Sequence, residues 1–149
     1  MQPRRPGHDV LMGAAAFAAT LGVSFLLAAG GLLDALDPPE PPVGRRWLVD
    51  VPFVLLVVPV GVALLMAAAF RLLSPAVGRH AALAATVVAA VVLHGLSQWQ
   101  WGVIMCVPLA VFAFPFLDAT ASTRAAIGRS ALTQGVHNAL AVAGLAIMG

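Results

Sequence analysis

The chain has 149 residues, of which 61% are hydrophobic and only 9% are charged, with a formal net charge of +2. Soluble domains carry roughly 25% charged residues, so this composition excludes an ordinary water-soluble domain. The eight basic residues are all arginines scattered along the chain, which excludes the continuous basic face that nucleic-acid-binding proteins use. We therefore expect a protein whose main partner is the lipid bilayer, and no nucleic-acid partner.

The apolar residues fall in five blocks, most of them long enough to cross a bilayer, which takes about 20 residues as a helix. This pattern predicts an all-α fold: a single domain over residues 1–149, built as a polytopic transmembrane bundle of about five helices. A polar, proline-rich loop is predicted at 34–50. The predicted helices span about 10–33, 51–73, 81–96, 103–117 and 123–148.

Individual residues predict further features of the fourth and fifth helices. Pro108 and Pro115 predict a kinked or tilted fourth helix, because proline disrupts the helical hydrogen-bond ladder. Ser122 is placed to cap the last helix.

The positions of the arginines predict the orientation. The first helix is too long for the core of a signal peptide, so we expect it to be retained in the protein. If there are five helices, six arginines lie on one side, and the positive-inside rule places the amino terminus in the cytoplasm and the carboxyl terminus outside. We expect a multi-pass protein of the bacterial inner (cytoplasmic) membrane. The six arginines are Arg4, Arg5, Arg71, Arg79, Arg124 and Arg129.

His94 and His137 are the candidate site residues, because an ionisable side chain at membrane depth is costly and usually functional. A zinc site needs three or four ligands, whereas the predicted helix cores offer only these two histidines and no carboxylate. We therefore expect no metal site of that kind. Cys106 has no cysteine partner in the chain and is expected to be a small buried side chain.

Two interpretations of the histidines stay open. His94 and His137 could together ligate a haem iron axially, or either one could be the axial ligand of a haem or of a chlorophyll-type ring; no cofactor is certain from the sequence. Ala90 lies one turn before His94 and leaves room for a flat ring, in a pattern that resembles the A-x-x-x-H of bacterial light-harvesting helices. Alternatively, each imidazole donates a hydrogen bond to a carbonyl or to a neighbouring polar side chain and ties helices together. The side chains considered for this role are Ser97, Gln98, Gln134 and Asn138.

Residues 51–149 resemble the core of the CPBP family of intramembrane proteases (CAAX proteases and bacteriocin-processing or Abi proteins). That family has a helix with E-E-x-x-x-R after a proline, then F-x-x-x-H, then H-x-x-x-N in a final helix. Here the corresponding segments are PVGVALLMAAAFRLL from Pro59, VVLHG with His94, and QGVHNALAVAG with His137.

This chain departs from the family pattern at the residues that carry the chemistry. Aliphatic residues stand where the family has its paired glutamates, and an aliphatic side chain cannot accept the proton of an attacking water. The resemblance therefore implies a pseudoenzyme on a protease-like scaffold. The departures are Val62 and Ala63 for the glutamates, Ala67 for the arginine, Ala90 for the phenylalanine and Ala141 for the final asparagine.

From these patterns we expect a non-catalytic accessory or assembly subunit of a larger membrane complex, with other membrane protein subunits as partners. Abundant alanine and glycine would let its helices approach those of a partner closely. One alternative is a haem- or chlorophyll-binding subunit. Another is a membrane protease or hydrolase completed by a partner's carboxylate. A transporter or channel is disfavoured, because no acidic residue lines a predicted pathway.

Overall fold

A computed structural model describes residues 6–33, 47–96 and 98–148, and every regular element among these residues is helical. A π-helical turn, Phe53–Val57, joins α2 to α3 without a break, and a 3-10 turn, Phe114–Leu117, follows α5. The described chain thus forms five helical rods, which confirms the predicted all-α bundle. The helices are α1 (Pro6–Ala29), α2 (Trp47–Pro52), α3 (Val58–Val77), α4 (Arg79–Gly95), α5 (Trp99–Ala113) and α6 (Thr123–Met148).

Three helical segments are long and apolar enough to cross a membrane: Gly7–Ala29, Val49–Val77 and Trp99–Leu117. Large apolar side chains point outward from the bundle, including Phe25 at 72% exposed and Leu65 at 72% exposed. Such a surface is stable in lipid and not in water. These helices support a membrane protein; the inner membrane and the cytoplasmic amino terminus stay predictions.

The other two rods differ from the three apolar ones. Helix α4 is apolar but only 17 residues long. Helix α6 has 26 residues, yet its polar side chains keep it out of the group of long apolar segments. Several of those polar side chains are buried inside the bundle, where they contact other helices rather than lipid.

The helix ends lie a few residues from their predicted positions. Helix α1 occupies 6–29 rather than 10–33, because Gly31 adopts a φ of +68° and the Leu32 amide bonds back to the Leu27 carbonyl, which closes the helix. The second rod begins at Trp47 and continues to Val77, beyond the predicted 51–73. The end of the predicted loop at 34–50 is therefore helical, while residues 34–46 lie outside the described residues. The predicted cap is confirmed, since the Ser122 hydroxyl accepts a hydrogen bond from the Ala125 amide at 3.2 Å.

Helix α5 lies in the middle of the bundle and contacts α1, α3, α4 and α6. Half of the Trp99–Leu117 segment is buried, against 11% of the corresponding window in α1. The apolar core forms where α5 meets its neighbours, around Phe112, Leu109, Met66 and Phe70. Pro108 lies inside α5, and Pro115 is the second residue of the following 3-10 turn, so α5 occupies 99–113 rather than the predicted 103–117.

Helices α1 and α6 run parallel and very close together. Gly13 makes this approach possible: a Cβ atom at this position would lie 2.5 Å from the Thr133 carbonyl oxygen and 2.7 Å from the Val136 Cβ. The absence of a side chain therefore lets the two backbones touch. This contact aligns the polar residues of α6 with partners on α1.

Candidate functional site

The two candidate histidines lie at similar depth but on different sides of the bundle. Helices α4 and α6 begin at the same end, where Arg79 and Thr123 line one cleft. His94 and His137 then follow about 22 Å and about 21 Å along their helices, at 1.5 Å per residue. However, α4 and α6 are not packed side by side among the described residues. The structure therefore does not bring the two imidazoles into one site.

His137 is enclosed by three elements and is only 5% exposed. Its Nε2 lies 2.9 Å from the Thr20 hydroxyl of α1, and its Nδ1 lies 3.1 Å from the Asn138 side-chain oxygen. The edges of two aromatic rings pack against it, with centroids 6.0 Å away for Phe17 and 5.5 Å for Phe112. Both ring nitrogens are thus engaged within the protein, which leaves no nitrogen for a metal or a macrocycle.

The hydrogen-bond partners assign the protons of this cluster. The Asn138 oxygen only accepts, so Nδ1 of His137 carries a proton and donates it. In the neutral ring, Nε2 is then an acceptor and the Thr20 hydroxyl donates to it. The same hydroxyl lies 3.1 Å from the Ala16 carbonyl oxygen, so it has an alternative acceptor within its own helix. Rotation of one hydroxyl group would let His137 donate through both nitrogens without moving a heavy atom.

Asn138 connects this cluster to the π-helical turn. Its side-chain nitrogen donates to the Val54 carbonyl oxygen at 2.9 Å. In the π-helical turn the Val58 amide bonds to the Phe53 carbonyl. The next donor in the same register would be residue 59, a proline without an N–H group. Asn138 therefore supplies the hydrogen bond that Pro59 cannot, and the predicted interhelical role of Asn138 is confirmed.

A stripe of buried polar residues runs along the inner face of α6. Ser130, Thr133, Gln134 and His137 are each 5% exposed or less. The Thr133 hydroxyl donates to the Arg129 carbonyl of its own helix at 2.9 Å. Within the described part of the chain, Ser130 Oγ and Gln134 Oε1 have no hydrogen-bond partner. The spacing of these residues, i, i+3, i+4 and i+7, is the sequence signal that indicates one helical face.

His94 has a different environment. Its Nδ1 lies 2.8 Å from the Ala90 carbonyl oxygen of its own helix, so Nδ1 carries the proton and donates. In the neutral ring Nε2 is then the nitrogen with the lone pair, and it has no hydrogen-bond partner among the residues that the structure describes. The side chain lines an apolar groove of about 140 Å³ between α3 and α4 and an open cleft of about 460 Å³ beside Trp101 and Met105.

Positions matched to the protease family are only partly brought together. Val62, Ala90 and His94 line the same groove between α3 and α4. Ala63 and Ala67, in contrast, are buried in the interior, and His137 lies with α1 and α5. The groove is therefore lined by one histidine and by aliphatic side chains where the family pattern has a glutamate and a phenylalanine.

A partly buried ion-pair network joins the ends of α1 and α6, and nothing in the sequence predicts it. Arg129 lies 3.2 Å from Asp9 and 3.2 Å from Asp118. Asp9 is only 4% exposed, so a carboxylate is buried in the first turn of α1, just before the predicted helix at 10–33. The helix starts earlier than expected and carries Asp9 into the bundle.

Asp118 is held in its charged form. The Thr120 hydroxyl and amide donate hydrogen bonds to it at 2.7 and 3.0 Å. These bonds, together with the Arg129 guanidinium, hold the pKa of Asp118 below its ordinary value of 3.8. The single positive charge of Arg129 is therefore shared by two carboxylates, those of Asp9 and Asp118.

Among residues 6–33, 47–96 and 98–148, no three His, Cys, Asp or Glu side chains cluster in the way that a metal ion requires. Cys106 is a free thiol and is half-buried rather than buried as expected. Comparisons with known proteins gave no match to this chain among protein-family models, curated proteins or solved structures.

Proposed function

We propose that this chain is a non-catalytic integral membrane subunit, one that assembles with other membrane proteins on a scaffold similar to that of the CPBP proteases. The observation that carries the proposal is that His137 and Asn138 bond to each other and each also bonds to another helical element. A catalytic imidazole needs a free nitrogen within reach of a substrate or water. His137 instead joins α1 to α6, and Asn138 joins α6 to the π-helical turn.

The residues around His94 support the same proposal. A water-activating site on the family pattern needs a carboxylate near the histidine, and the groove beside His94 presents Val62 and Ala90. An aliphatic wall cannot take up the proton of a water molecule. The protease-like arrangement, if inherited, has kept the helices and lost the base.

The proposal is tested with the tagged full-length chain purified from its native membrane in mild detergent. We expect it to elute with other membrane proteins at a fixed stoichiometry and to cleave neither peptides nor prenylated peptides. His137→Gln should lower the amount of assembled complex, while His94→Gln should leave it unchanged. Turnover of a peptide by the wild-type preparation that disappears in His94→Ala would instead favour a hydrolase completed by a partner.

A second function is favoured by one observation: Nε2 of His94 has no hydrogen-bond partner in the part of the chain that the structure describes. A histidine that ligates a metal usually donates its other N–H to a carbonyl, as Nδ1 of His94 does to Ala90. The cleft of about 460 Å³ between α4 and α5 falls within the roughly 300–1,000 Å³ typical of ligand pockets. A haem or chlorophyll-type ring would bind there through His94, not through His137, whose nitrogens are both occupied.

An absorption spectrum and metal analysis of the purified chain test this second function. If the chain has this second function, the wild type shows ring absorption with iron or magnesium, which is lost in His94→Gln and retained per folded molecule in His137→Gln. A colourless wild-type preparation without either metal would exclude ring binding. Equal loss of the ring in both variants would show that fold stability, and not ligation, sets the ring content.

A further inference from the structure

A polar cleft of about 230 Å³ opens at the end of the bundle where α4 and α6 begin. It is separate from the surroundings of both histidines. The end of α3 provides Arg71 and Ser74, the first residue of α4 is Arg79, and the first residue of α6 is Thr123; these four residues all line the cleft. Three helix ends thus converge on one concave surface with two guanidinium groups.

The two arginines differ in how they are held. Arg79 is oriented by its own protein: Nη2 donates to the Phe116 carbonyl at 2.7 Å, and the guanidinium lies 5.4 Å from the centroid of the Phe70 ring. Since a guanidinium has five N–H groups, most of its donors stay available to a ligand. Arg71 is exposed and has no hydrogen-bond or ion-pair partner within the described ranges.

The charge balance of the cleft favours an anion. Asp118 also lines it, but this carboxylate is already paired with Arg129 at 3.2 Å and accepts two hydrogen bonds from Thr120. Within residues 6–33, 47–96 and 98–148, Arg71 and Arg79 have no such carboxylate partner. The negative end of the α3 dipole and the positive end of the α4 dipole meet at Gly78 and oppose each other, so the positive field of the cleft comes from the two guanidinium groups.

We propose that this cleft binds a phosphate group, with Arg71 and Arg79 as its main ligands and the Ser74 hydroxyl as a further donor. Guanidinium groups match phosphate oxygens in geometry and charge better than any other side chain. The phosphate could belong to the headgroup of an anionic phospholipid or to a soluble phosphate compound. Leu72, next to Arg71 and 79% exposed, places lipid-facing surface beside the cleft.

The test measures the thermal unfolding midpoint of the full-length chain in a zwitterionic detergent. The probes are short-chain phosphatidylglycerol, short-chain phosphatidylcholine and inorganic phosphate, each titrated at constant ionic strength. The variants are Arg71→Gln and Arg79→Gln, with Arg124→Gln as the matched control. Arg124 is an exposed arginine of the first turn of α6 that does not line the cleft.

We expect phosphatidylglycerol or inorganic phosphate to raise the unfolding midpoint of the wild type more than phosphatidylcholine does. The apparent affinity should fall about fivefold in Arg71→Gln, since one arginine near anionic headgroups contributes about that much. It should be unchanged in Arg124→Gln. A response to phosphatidylglycerol alone identifies a lipid headgroup, and a response to inorganic phosphate identifies a soluble ligand.

Equal stabilisation by phosphatidylcholine would overturn the proposal. So would an equal loss of affinity in Arg124→Gln, which would show that only the net positive charge of this end matters. Arg79→Gln removes the bond to Phe116 and can unfold the helix end. In that case Arg71→Gln alone decides the result, because Arg71 makes no hydrogen bond of that kind to any residue that the structure describes.

Discussion

The side chain of Asn138 donates a hydrogen bond to the carbonyl oxygen of Val54 at 2.9 Å, from α6 to the π-helical turn. Proline at position 59 creates the need for this bond, because it removes the backbone donor that would continue the register set by Val58. In an apolar environment an unpaired carbonyl is costly. The π-helical turn of the second helical rod thus has one carbonyl without a backbone donor, and the Asn138 side chain of α6 supplies that donor.

The first prediction concerns this match. Asn138→Ala should lower the free energy of unfolding in detergent by about 1 kcal/mol, as loss of a hydrogen bond between membrane helices does. The loss should be smaller when Pro59→Ala is also present, because residue 59 then has an N–H group for the vacant carbonyl. The double-mutant cycle is measured by reversible unfolding in mixed detergent micelles.

Pro75→Ala is the matched control for this cycle, since Pro75 lies at the other end of the same helix. The cost of Asn138→Ala should be the same in the Pro75→Ala background as in the wild type. An identical cost in the Pro59→Ala background would contradict the assigned role of Pro59.

The second prediction concerns the close contact between α1 and α6. Gly13→Ala should destabilise the bundle by about 1–3 kcal/mol, the usual cost of overpacking, because the added Cβ meets backbone and Cβ atoms that have little room to move. Gly22→Ala lies on the same helix with nothing within 4 Å of its added Cβ, and we expect no loss of stability there. Comparable destabilisation by both variants would show that helix flexibility, and not the close approach, explains the effect.

The third prediction concerns the charge network. Arg129→Gln leaves Asp9 buried without its counter-charge, which should cost about 3 kcal/mol. Arg129→Gln with Asp9→Asn should recover part of that loss, because the unpaired charge is then gone. The exposed Arg124 provides the control through Arg124→Gln, whose unfolding free energy should equal that of the wild type. A double variant as unstable as Arg129→Gln alone would argue against the ion pair.

The fourth prediction follows from the lowered pKa of Asp118. A carboxyl whose pKa is lower in the folded state stabilises the fold above its unfolded pKa, and this stability is lost as the pH falls through its folded pKa. The difference in unfolding free energy between the wild type and Asp118→Asn should be constant above about pH 5 and should shrink below the ordinary value of 3.8. The measurement is chemical unfolding of both proteins from pH 6 to pH 2. A difference that does not change with pH would show that the Asp118 charge is not stabilised by the fold.

Periodicity and composition predict the helices well, because a segment that crosses lipid must be long and apolar and must form its backbone hydrogen bonds within itself. The positions of α4 and α6 differ little from those expected, and Ser122 caps α6 as its residue type indicates. The start of α1 was less predictable, since Pro6 to Asp9 look polar and solvated. Only the partner Arg129, far along the chain, explains why Asp9 can be buried.

The sequence identifies the candidate site residues one by one, but it does not predict which of them lie together in the fold. Polar type and membrane depth identify His94 and His137, but neither property says which helices pack together. That pairing depends on contacts such as the one at Gly13, where steric fit between two backbones decides which helix lies beside α1. The separation of the two histidines, and the link from His137 to Thr20, depend on this packing.

The parallel contact of the first and last helices affects how the protein must be made. The partners of Asp9 and Thr20 lie 120 and 117 residues further along the chain. During synthesis α1 therefore enters the bilayer long before Arg129 and His137 have left the ribosome. Until then the Asp9 carboxylate needs an interim partner, such as water at the interface or the insertion machinery, while the Thr20 hydroxyl can donate to the Ala16 carbonyl of its own helix. The amino-terminal helix can therefore pack in its final position only after α6 has been made. Truncation before α6 would leave α1 without its contacts to Arg129 and His137.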